Sequence, residues 1–207
     1  MAEIAVLTGD LINSTRVQQP EAFSRRLKTL LNGLEQDYGA EAGTFRGDGF
    51  QVTLERPGEA FEVALRLRAG LIGASPSRSD RWDARISIAL GAAKGPEGGF
   101  GSAYTDSGRA LDQMERETLR FHAERKQLTL ALDLVTAFVD DILCQWTPSE
   151  AEVYFEHLCR PEGGHSAIAS RLNKSRPTVT QALLRARYNL LDRYLRDSRQ
   201  LMEADYA

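Results

Sequence analysis

Two aspartates lie where strand-like segments end or turn, and both are next to glycine. Asp10 follows the apolar run at residues 4–7, and Asp48 lies between Gly47 and Gly49. Carboxylates that converge within a few Å repel each other unless a cation neutralises them, and Mg²⁺ is commonly bound by one or two carboxylates together with substrate phosphates. Asp10 and Asp48 are therefore candidate metal ligands. The alternative is that both are ordinary turn residues, because Asp-Gly is common in hairpins.

The residues around Asp48 suggest a place for phosphate. Gly47 and Gly49 would let the hairpin backbone approach a phosphate closely, because glycine has no side chain. Arg46 could bind the same phosphate through its guanidinium group. Arg46 could equally be a solvated strand residue.

Positive charge is concentrated in the C-terminal part of the chain. The whole sequence has a net charge of −3, whereas residues 160–199 contain nine Lys/Arg and three Asp/Glu. A basic segment next to an acidic body indicates a second module that faces a polyanion such as nucleic acid. A helix with a solvated basic face is the structural alternative.

Within this basic segment, the pattern predicts two short helices joined by a tight turn. Asn173 tolerates the left-handed backbone of a turn, and Ser175 can cap the second helix. The segment resembles the helix-turn-helix of bacterial regulators, whose second helix enters the major groove of double-stranded DNA. The predicted DNA contacts are Lys174, Arg176, Thr178, Thr180, Gln181, Arg185 and Arg187. A helix pair used for packing or dimerisation is the alternative.

The elements that would position the two aspartates can be predicted from hydrophobic spacing. Strands are expected at 4–7, 42–45, 50–54 and 84–90, and helices begin at Pro20 and Pro57. Residues 91–101 are expected to form a loop and 104–117 a helix, and 128–132 could form another strand. The order strand–helix–strand–strand–helix–strand is that of a ferredoxin-like α+β domain, whose first and third strands are central neighbours. Their ends would bring Asp10 and Asp48 together.

A helical domain is expected to follow the α+β domain. From residue 133 onward the pattern is helical throughout, and Thr147-Pro148-Ser149-Glu150 predicts a helix start with a capping box. The sequence therefore predicts a domain of residues 1–130 and an all-α domain of residues 131–207 that contains the helix-turn-helix.

Two segments resemble the palm domain of class III nucleotidyl cyclases. They are Asp10-Leu11-Ile12-Asn13-Ser14-Thr15 and Phe45-Arg46-Gly47-Asp48-Gly49-Phe50. More closely, the whole chain resembles the SatD family, bacterial proteins that join such a module to a helical C-terminus. The matching pieces include Thr8–Ser14, Gly47–Gln51, Gly101–Tyr104 and Leu128–Leu130. The resemblance implies a cyclase-like palm in which Asp10 and Asp48 bind Mg²⁺ beside a nucleotide.

The chain departs from the cyclase pattern at groups that position the nucleotide. Cyclases that use ATP carry a lysine shortly before the second aspartate, where this chain has Thr44–Arg46. With Arg109 as the arginine of the later helix, Thr105 stands in place of asparagine, and the SatD-like register instead places Gly108 at that arginine. Because phosphoryl transfer depends on positioning and charge neutralisation, these differences favour binding over turnover. The candidate nucleotide contacts are Arg46, Gly47, Gly49 and Arg109.

Three functions are compatible with these features. The favoured one is a DNA-binding transcriptional regulator whose palm senses a nucleotide, and the second is an active nucleotidyl cyclase that uses the helix-turn-helix as a partner or dimer module. The third is an interaction module with a degenerate palm that binds no ligand. No catalytic residue is assigned. DNA half-sites and paired palms make a homodimer the default.

The remaining features point to a cytoplasmic protein without a membrane span. Cys144 and Cys159 form neither a disulfide framework nor, with three scattered histidines, a zinc pattern. The sequence starts Met-Ala-Glu-Ile, without the pattern of a secretory signal. The most apolar stretch, 128–146, is interrupted by three aspartates, which makes it a poor membrane span.

Overall fold

Strands and helices alternate in the N-terminal part of the chain, and its C-terminal part is helical over the residues that the structure describes. The computed structural model describes residues 3–45, 47–94 and 100–204. The first elements are β1 (Glu3–Leu11), α1 (Pro20–Tyr38), β2 (Glu41–Phe45), β3 (Gly49–Leu54), α2 (Ala60–Gly73) and β4 (Ala84–Lys94). They are followed by β5 (Phe100–Gly101), α3 (Ser102–Asp112), β6 (Leu119–Ala123), α4 (Lys126–Gln145), α5 (Pro148–Cys159), α6 (Gly164–Arg171), α7 (Arg176–Arg185) and α8 (Tyr188–Ala204).

β1 lies in the centre of the sheet. It pairs antiparallel with β3 on one side and with β4 on the other, and β2 pairs antiparallel with β3. The order β2-β3-β1-β4 is that of a ferredoxin-like domain, so the predicted α+β class and its central pair of strands are confirmed. β6 extends the sheet by pairing parallel with β4, and β5 pairs with the far end of β4.

Between residues 91 and 132 the sequence predictions hold only in part: the helix predicted over 104–117 is present as α3, and residues 95–99 of the predicted loop lie outside the described residues. The strand suggested over 128–132 is wrong, because these residues belong to α4. The buried side chains of α4 recur at helical spacing: Leu128, Leu132, Val139 and Leu143. That period becomes visible only over the whole helix, and a short apolar run cannot be assigned by itself. The outer strand is instead β6, α3 ends at Asp112, and residues 91–94 continue β4 rather than start a loop.

Opposite faces of the sheet are covered by different helices. Alternate residues of β1 pack into the main core with α1 and α2: Ala5, Leu7 and Leu11. Ile4 and Val6 pack against α3 on the other face. Because side chains alternate along a strand, Asp10 also lies on the α3 face, at the end of β1.

The C-terminal helices pack directly on the α+β part. A Cβ atom at Gly73 of α2 would lie 2.8 Å from the backbone N and Cα atoms of Glu152 in α5, so the two helices approach each other closely because this residue is glycine. At the other end, Arg199 of α8 donates hydrogen bonds to the Gly58 carbonyl at 3.3 Å and to Glu62 at 2.9 Å. Residue 130, the proposed domain boundary, lies inside α4, and the division into 1–130 and 131–207 stays a prediction.

A buried arginine joins the two parts. Arg68 of α2 donates hydrogen bonds to both carboxylate oxygens of Asp83 at 2.9 Å and to Asp140 of α4 at 2.6 Å. Burial lowers the pKa of Arg68, but the charges of the two aspartates outweigh this effect and raise the pKa above its ordinary value. The main chain and side chain of Thr118, just before β6, also donate to Asp140.

None of the helices in the described part of the chain is long and apolar enough to cross a membrane.

Candidate functional site

The backbone brings Asp10 and Asp48 to the same corner of the sheet. Asp10 lies opposite Gly49 in the β1–β3 register, and the amide of Leu11 donates a hydrogen bond to the carbonyl of Asp48 at 3.1 Å. The strand end and the hairpin turn therefore lie next to each other. The two carboxyl groups, however, have different partners.

Asp10 is held by an arginine of the neighbouring strand. Arg85 lies directly opposite Asp10 in β4, and its Nε and Nη2 atoms donate to Oδ1 and Oδ2 at 2.9 and 2.5 Å. Bidentate pairs of arginine and carboxylate are among the strongest charge-assisted hydrogen bonds. The hydrogen bond to Asp10 raises the pKa of Arg85 above its ordinary value. The side chains of Asp10 and Arg85 are 28% and 35% exposed, so a dissolved ligand can reach the pair.

Asp48 is bound by the loop that follows β1. The Ser14 hydroxyl donates to Oδ2 of Asp48 at 2.8 Å. Asn13 has a φ of 54°, in the left-handed region that asparagine tolerates, and its carbonyl accepts from the Arg16 amide at 2.8 Å. This tight turn brings Ser14 to Asp48.

The side chains of Asp10 and Asp48 are not arranged as Mg²⁺ ligands in this structure. Mg²⁺ needs free oxygen ligands in near-octahedral geometry, whereas both oxygens of Asp10 accept from Arg85 and one oxygen of Asp48 accepts from Ser14. The positive charge of Arg85 would also repel a divalent cation at the same carboxylate. Within residues 3–45, 47–94 and 100–204, no cluster of three or more His, Cys, Asp or Glu side chains could hold a metal. Asp10 and Asp48 as metal ligands stay a prediction.

An open cleft of about 370 Å³ lies beside Asp10 and Arg85. The loop after β1 and the segment between α3 and β6 complete its lining: Leu11, Ile12, Asn13, Glu115, Arg116, Glu117 and Thr118. The Glu117 carboxylate accepts from the amides of Glu115 and Arg116 at 3.1 Å, and backbone hydrogen bonds lower the pKa of Glu117. The cleft therefore presents the paired Asp10 and Arg85 side chains, the held carboxylate of Glu117 and the exposed Arg116 to a small polar ligand.

Two glycines at the β2–β3 turn, Gly47 and Gly49, occupy positions where a larger side chain would be disfavoured by backbone conformation or by steric overlap. Gly47 has a φ of 86°, a conformation that side chains disfavour. A Cβ atom at Gly49 would lie 2.7 Å from the Phe45 ring and 3.0 Å from its carbonyl oxygen. The predicted contacts of Gly47 and Gly49 with phosphate stay a prediction, and Arg46 lies outside the described residues.

The structure does not bring Arg109 into this cleft. Arg109 is exposed near the end of α3 and is absent from the described residues that line the cleft. Thr105, at the position of the cyclase asparagine, donates its hydroxyl to the Gly101 carbonyl at 3.3 Å. The groups that would position a nucleotide in a cyclase are therefore not assembled beside Asp10.

Sequence reasoning missed Arg85 and Arg116 as members of the cleft. Arg85 was part of a predicted strand, but its partner depends on the pairing of β1 with β4, which hydrophobic alternation does not reveal. Arg116 lies in the segment that was assigned to the end of a helix. An alternation analysis combined with the predicted strand order could have found Arg85, because a charged residue beside the end of a central strand needs a partner.

The helices predicted around residue 173 are present. α6 ends at Arg171 and α7 begins at Arg176, and Asn173 between them has a φ of 51°. The Ser175 hydroxyl accepts a hydrogen bond from the Thr178 amide at 3.2 Å and caps α7. The predicted turn and cap are thus confirmed, and DNA binding by this helix pair stays a prediction.

Four of the residues predicted to contact DNA already have side-chain partners within the chain: Lys174 pairs with Glu152 at 2.7 Å, Arg185 with Glu150 at 2.9 Å, Thr180 with His165 at 3.0 Å, and the hydroxyl of Thr178 with that of Ser175 at 2.8 Å. An overlapping set is exposed to solvent: Arg176, Thr178, Gln181, Arg185 and Arg187. The exposed set surrounds the start and the end of α7.

Carboxylates of α5 offset part of the basic charge. Besides Glu150 and Glu152, Glu156 pairs with Arg171 at 2.8 Å. Burial raises the pKa of Glu150, but hydrogen bonds from Thr147 and Arg185 outweigh this and lower it below its ordinary value. The net positive charge of residues 160–199 therefore overstates the charge available to bind DNA. The carboxylates that neutralise part of it belong to α5, which precedes this segment in the sequence.

The chain matches no model of a protein family and no curated protein. Solved structures that resemble it include a bacterial light-regulated adenylyl cyclase, with 14% sequence identity and a TM-score of 0.45 over 58% of this chain and 75% of that chain. The guanylate cyclase domain of RhGC from Catenaria anguillulae in complex with GTP has 13% identity and a TM-score of 0.41, over 55% and 74%. The guanylyl cyclase Cya2 has 17% identity and a TM-score of 0.40, over 57% and 74%. Similarity at this level does not decide the function of this chain.

Proposed function

We propose that this chain is a DNA-binding regulator whose cleft beside Asp10 and Arg85 receives a small nucleotide. The observation that carries the proposal is the exposed polar surface of α7. Arg176, Thr178 and Gln181 lie in its first turns and are exposed to solvent, directly after a tight turn from α6.

These side chains have the chemistry that reads double-stranded DNA. The N-terminal residues of a recognition helix contact base edges in the major groove. Arginine pairs with guanine through two hydrogen bonds, and glutamine does so with adenine. Arg187 is exposed between α7 and α8 and would add a contact to a phosphate.

The cleft supports the second part of the proposal. Its volume of about 370 Å³ is within the range of small-molecule sites. The exposed Arg116 can donate to phosphate oxygens, Arg85 can add the guanidinium N–H groups that it does not use on Asp10, and the carboxylate of Glu117 can accept from hydroxyl or base groups. Because Arg85 neutralises Asp10, the proposed binding does not require Mg²⁺. The nucleotide class rests on the resemblance of Asp10–Thr15 to the cyclase segment.

A nucleotidyl cyclase is the second candidate function. The meeting of the Asp10 and Asp48 backbones at one corner favours it. Two observations count against turnover: Asp10 forms an ion pair with Arg85, and Arg109 does not line the cleft. Incubation with each nucleoside triphosphate and Mg²⁺ or Mn²⁺ is therefore expected to give no cyclic product. A cyclic product that disappears in Asp10→Asn would establish the cyclase instead.

Fluorescence anisotropy with duplex DNA across a salt series tests the DNA-binding proposal. The double variant Arg176→Ala/Arg187→Ala should bind at least about tenfold more weakly, and the slope of log K against log salt should fall by about one, because one phosphate contact is removed together with a base contact. The control is Arg25→Ala/Arg193→Ala, which removes two arginines of α1 and α8 whose side chains are each 71% exposed. An equal loss in both double variants, or no binding by the unmodified chain, would contradict the proposal.

A further inference from the structure

The side of α4 that faces the sheet is held by hydrogen bonds to the edge strand β6. The amides of Phe121 and Ala123 in β6 donate to the side chains of Asp133 and Thr129 at 2.9 Å. These bonds occupy outward-facing donors of the edge strand, where another strand could otherwise pair. They also fix which side of α4 faces solvent.

The outer side of α4 is apolar. Leu130, Leu134 and Phe138 recur every four residues and are 74%, 60% and 68% exposed. Ala131 and Ala137 flank them and are also exposed. We call these five residues the α4 stripe. A surface helix usually carries polar residues on its solvent side, and a contiguous exposed apolar patch marks an interaction surface.

We propose that the α4 stripe binds the same stripe of a second copy of this chain, with the two helices antiparallel about a twofold axis at Leu134. In such a pair, Leu134 of one copy meets Leu134 of the other at the axis. On either side of the axis, a residue four positions from the centre shares a flank with the residue three positions from the centre of the other copy, so Leu130 lies next to Ala137 and Phe138 next to Ala131. Away from the axis, each large side chain therefore lies beside a small one, as interdigitating helices require.

Charges at the two ends of α4 fit the same arrangement. Lys126 is exposed in its first turn, and Asp141 is exposed beyond Phe138. The antiparallel pair places Lys126 of one copy near Asp141 of the other at both ends, and the helix dipoles also run in opposite directions. A parallel pair would instead place like charges together and large side chains opposite each other. The stripe is thus complementary to itself in one orientation.

The surroundings of α4 leave room for a second helix. A groove of about 690 Å³ runs along one flank of α4, between it and β6, and includes Arg120, His122, Leu130 and Leu134 in its lining. α4 has 20 residues and is therefore about 30 Å long. The proposal is independent of DNA and nucleotide binding.

The oligomeric state of the full chain tests the inference. Sedimentation equilibrium over a range of concentrations should show a dimer, and Leu134→Glu should raise its dissociation constant about a hundredfold or more, because two carboxylates would meet on the axis. The control is Leu190→Glu, which places the same charge at a 54% exposed leucine of α8. Circular dichroism should show that both variants keep their helices. A monomeric unmodified chain, or a dimer that Leu134→Glu leaves intact, would overturn the proposal.

A charge exchange tests the antiparallel orientation. Lys126→Glu alone and Asp141→Lys alone should each weaken the dimer, because each creates like-charge pairs at both ends. The double variant Lys126→Glu/Asp141→Lys should restore it, because every pair again has opposite charges. Additive weakening in the double variant would overturn the antiparallel arrangement and favour a different partner surface.

Discussion

Arg85 determines what Asp10 can do in the described structure. With both carboxylate oxygens engaged at 2.9 and 2.5 Å, Asp10 is part of an ion pair rather than a free ligand. The predicted strand order gave the backbone position of Asp10 correctly, at a strand end beside the turn of Asp48. It did not predict the partner, because the two residues are 75 positions apart and meet only through the register of β1 and β4.

The buried Arg68 gives a prediction at the same scale. Arg68→Met should lower the free energy of unfolding by about 3–5 kcal/mol, because the buried carboxylates of Asp83 and Asp140 lose the charge that compensates them. Urea denaturation measures the difference. The control is Arg193→Met, an exposed arginine paired with Asp197, which should cost at most about 1 kcal/mol. Equal effects of the two substitutions would show that the Arg68 cluster does not join α2 to α4 energetically.

Among the elements, those with a strong local signal were predictable from sequence. The hairpin around Asp48, the capped start of α5 and the turn at Asn173 depend on residues within a few positions of each other, and all three are present. β6 and α4 were not predictable in this way. The apolar residues of α4 lie on both its inner and outer sides, so their spacing conceals the helical period.

The contact of α2 with α5 gives a prediction at the scale of elements. Gly73→Ala should destabilise the protein by about 1–3 kcal/mol, because the added methyl group would overlap backbone atoms of Glu152. Gly33→Ala in α1 is the matched control, since an added Cβ there meets nothing within 4 Å. The control should be neutral or stabilising by up to about 1 kcal/mol, because alanine favours helix. Thermal or chemical unfolding of both variants compares them, and a neutral Gly73→Ala would contradict the close approach.

Across the whole molecule, hydrogen bonds link the cleft to the end of α7. Thr118 lines the cleft and donates to Asp140, which accepts from Arg68. From the cluster around Asp83, Arg81 donates to the Trp146 carbonyl at 2.6 Å, and the Trp146 indole donates to the Ala186 carbonyl at 3.2 Å. A ligand that moves Thr118 would thus act on a series of buried and partly buried hydrogen bonds that ends at Ala186, next to Arg187.

The net effect of charge was the least predictable feature at this scale. The sequence indicated a strongly basic C-terminal segment, but several of its basic side chains form ion pairs with carboxylates of α5. On the exposed side of α7 that is predicted to bind DNA, Arg176 and Arg187 are the exposed arginines without an ion-pair partner among the described residues. The fold class followed from the order of strands, whereas free charge depends on which helices pack together.

As a nucleotide-sensing regulator, the protein should change its affinity for duplex DNA when a ligand binds in the cleft. The most direct test is the affinity for duplex DNA, measured by anisotropy with and without a saturating nucleotide. The nucleotide is first identified by thermal unfolding, because a nucleotide present at a hundred times its dissociation constant should raise the free energy of unfolding by about 2.7 kcal/mol. This nucleotide should change the DNA dissociation constant by about 5–150-fold. An unchanged dissociation constant, or the absence of stabilisation by any nucleotide, would contradict it.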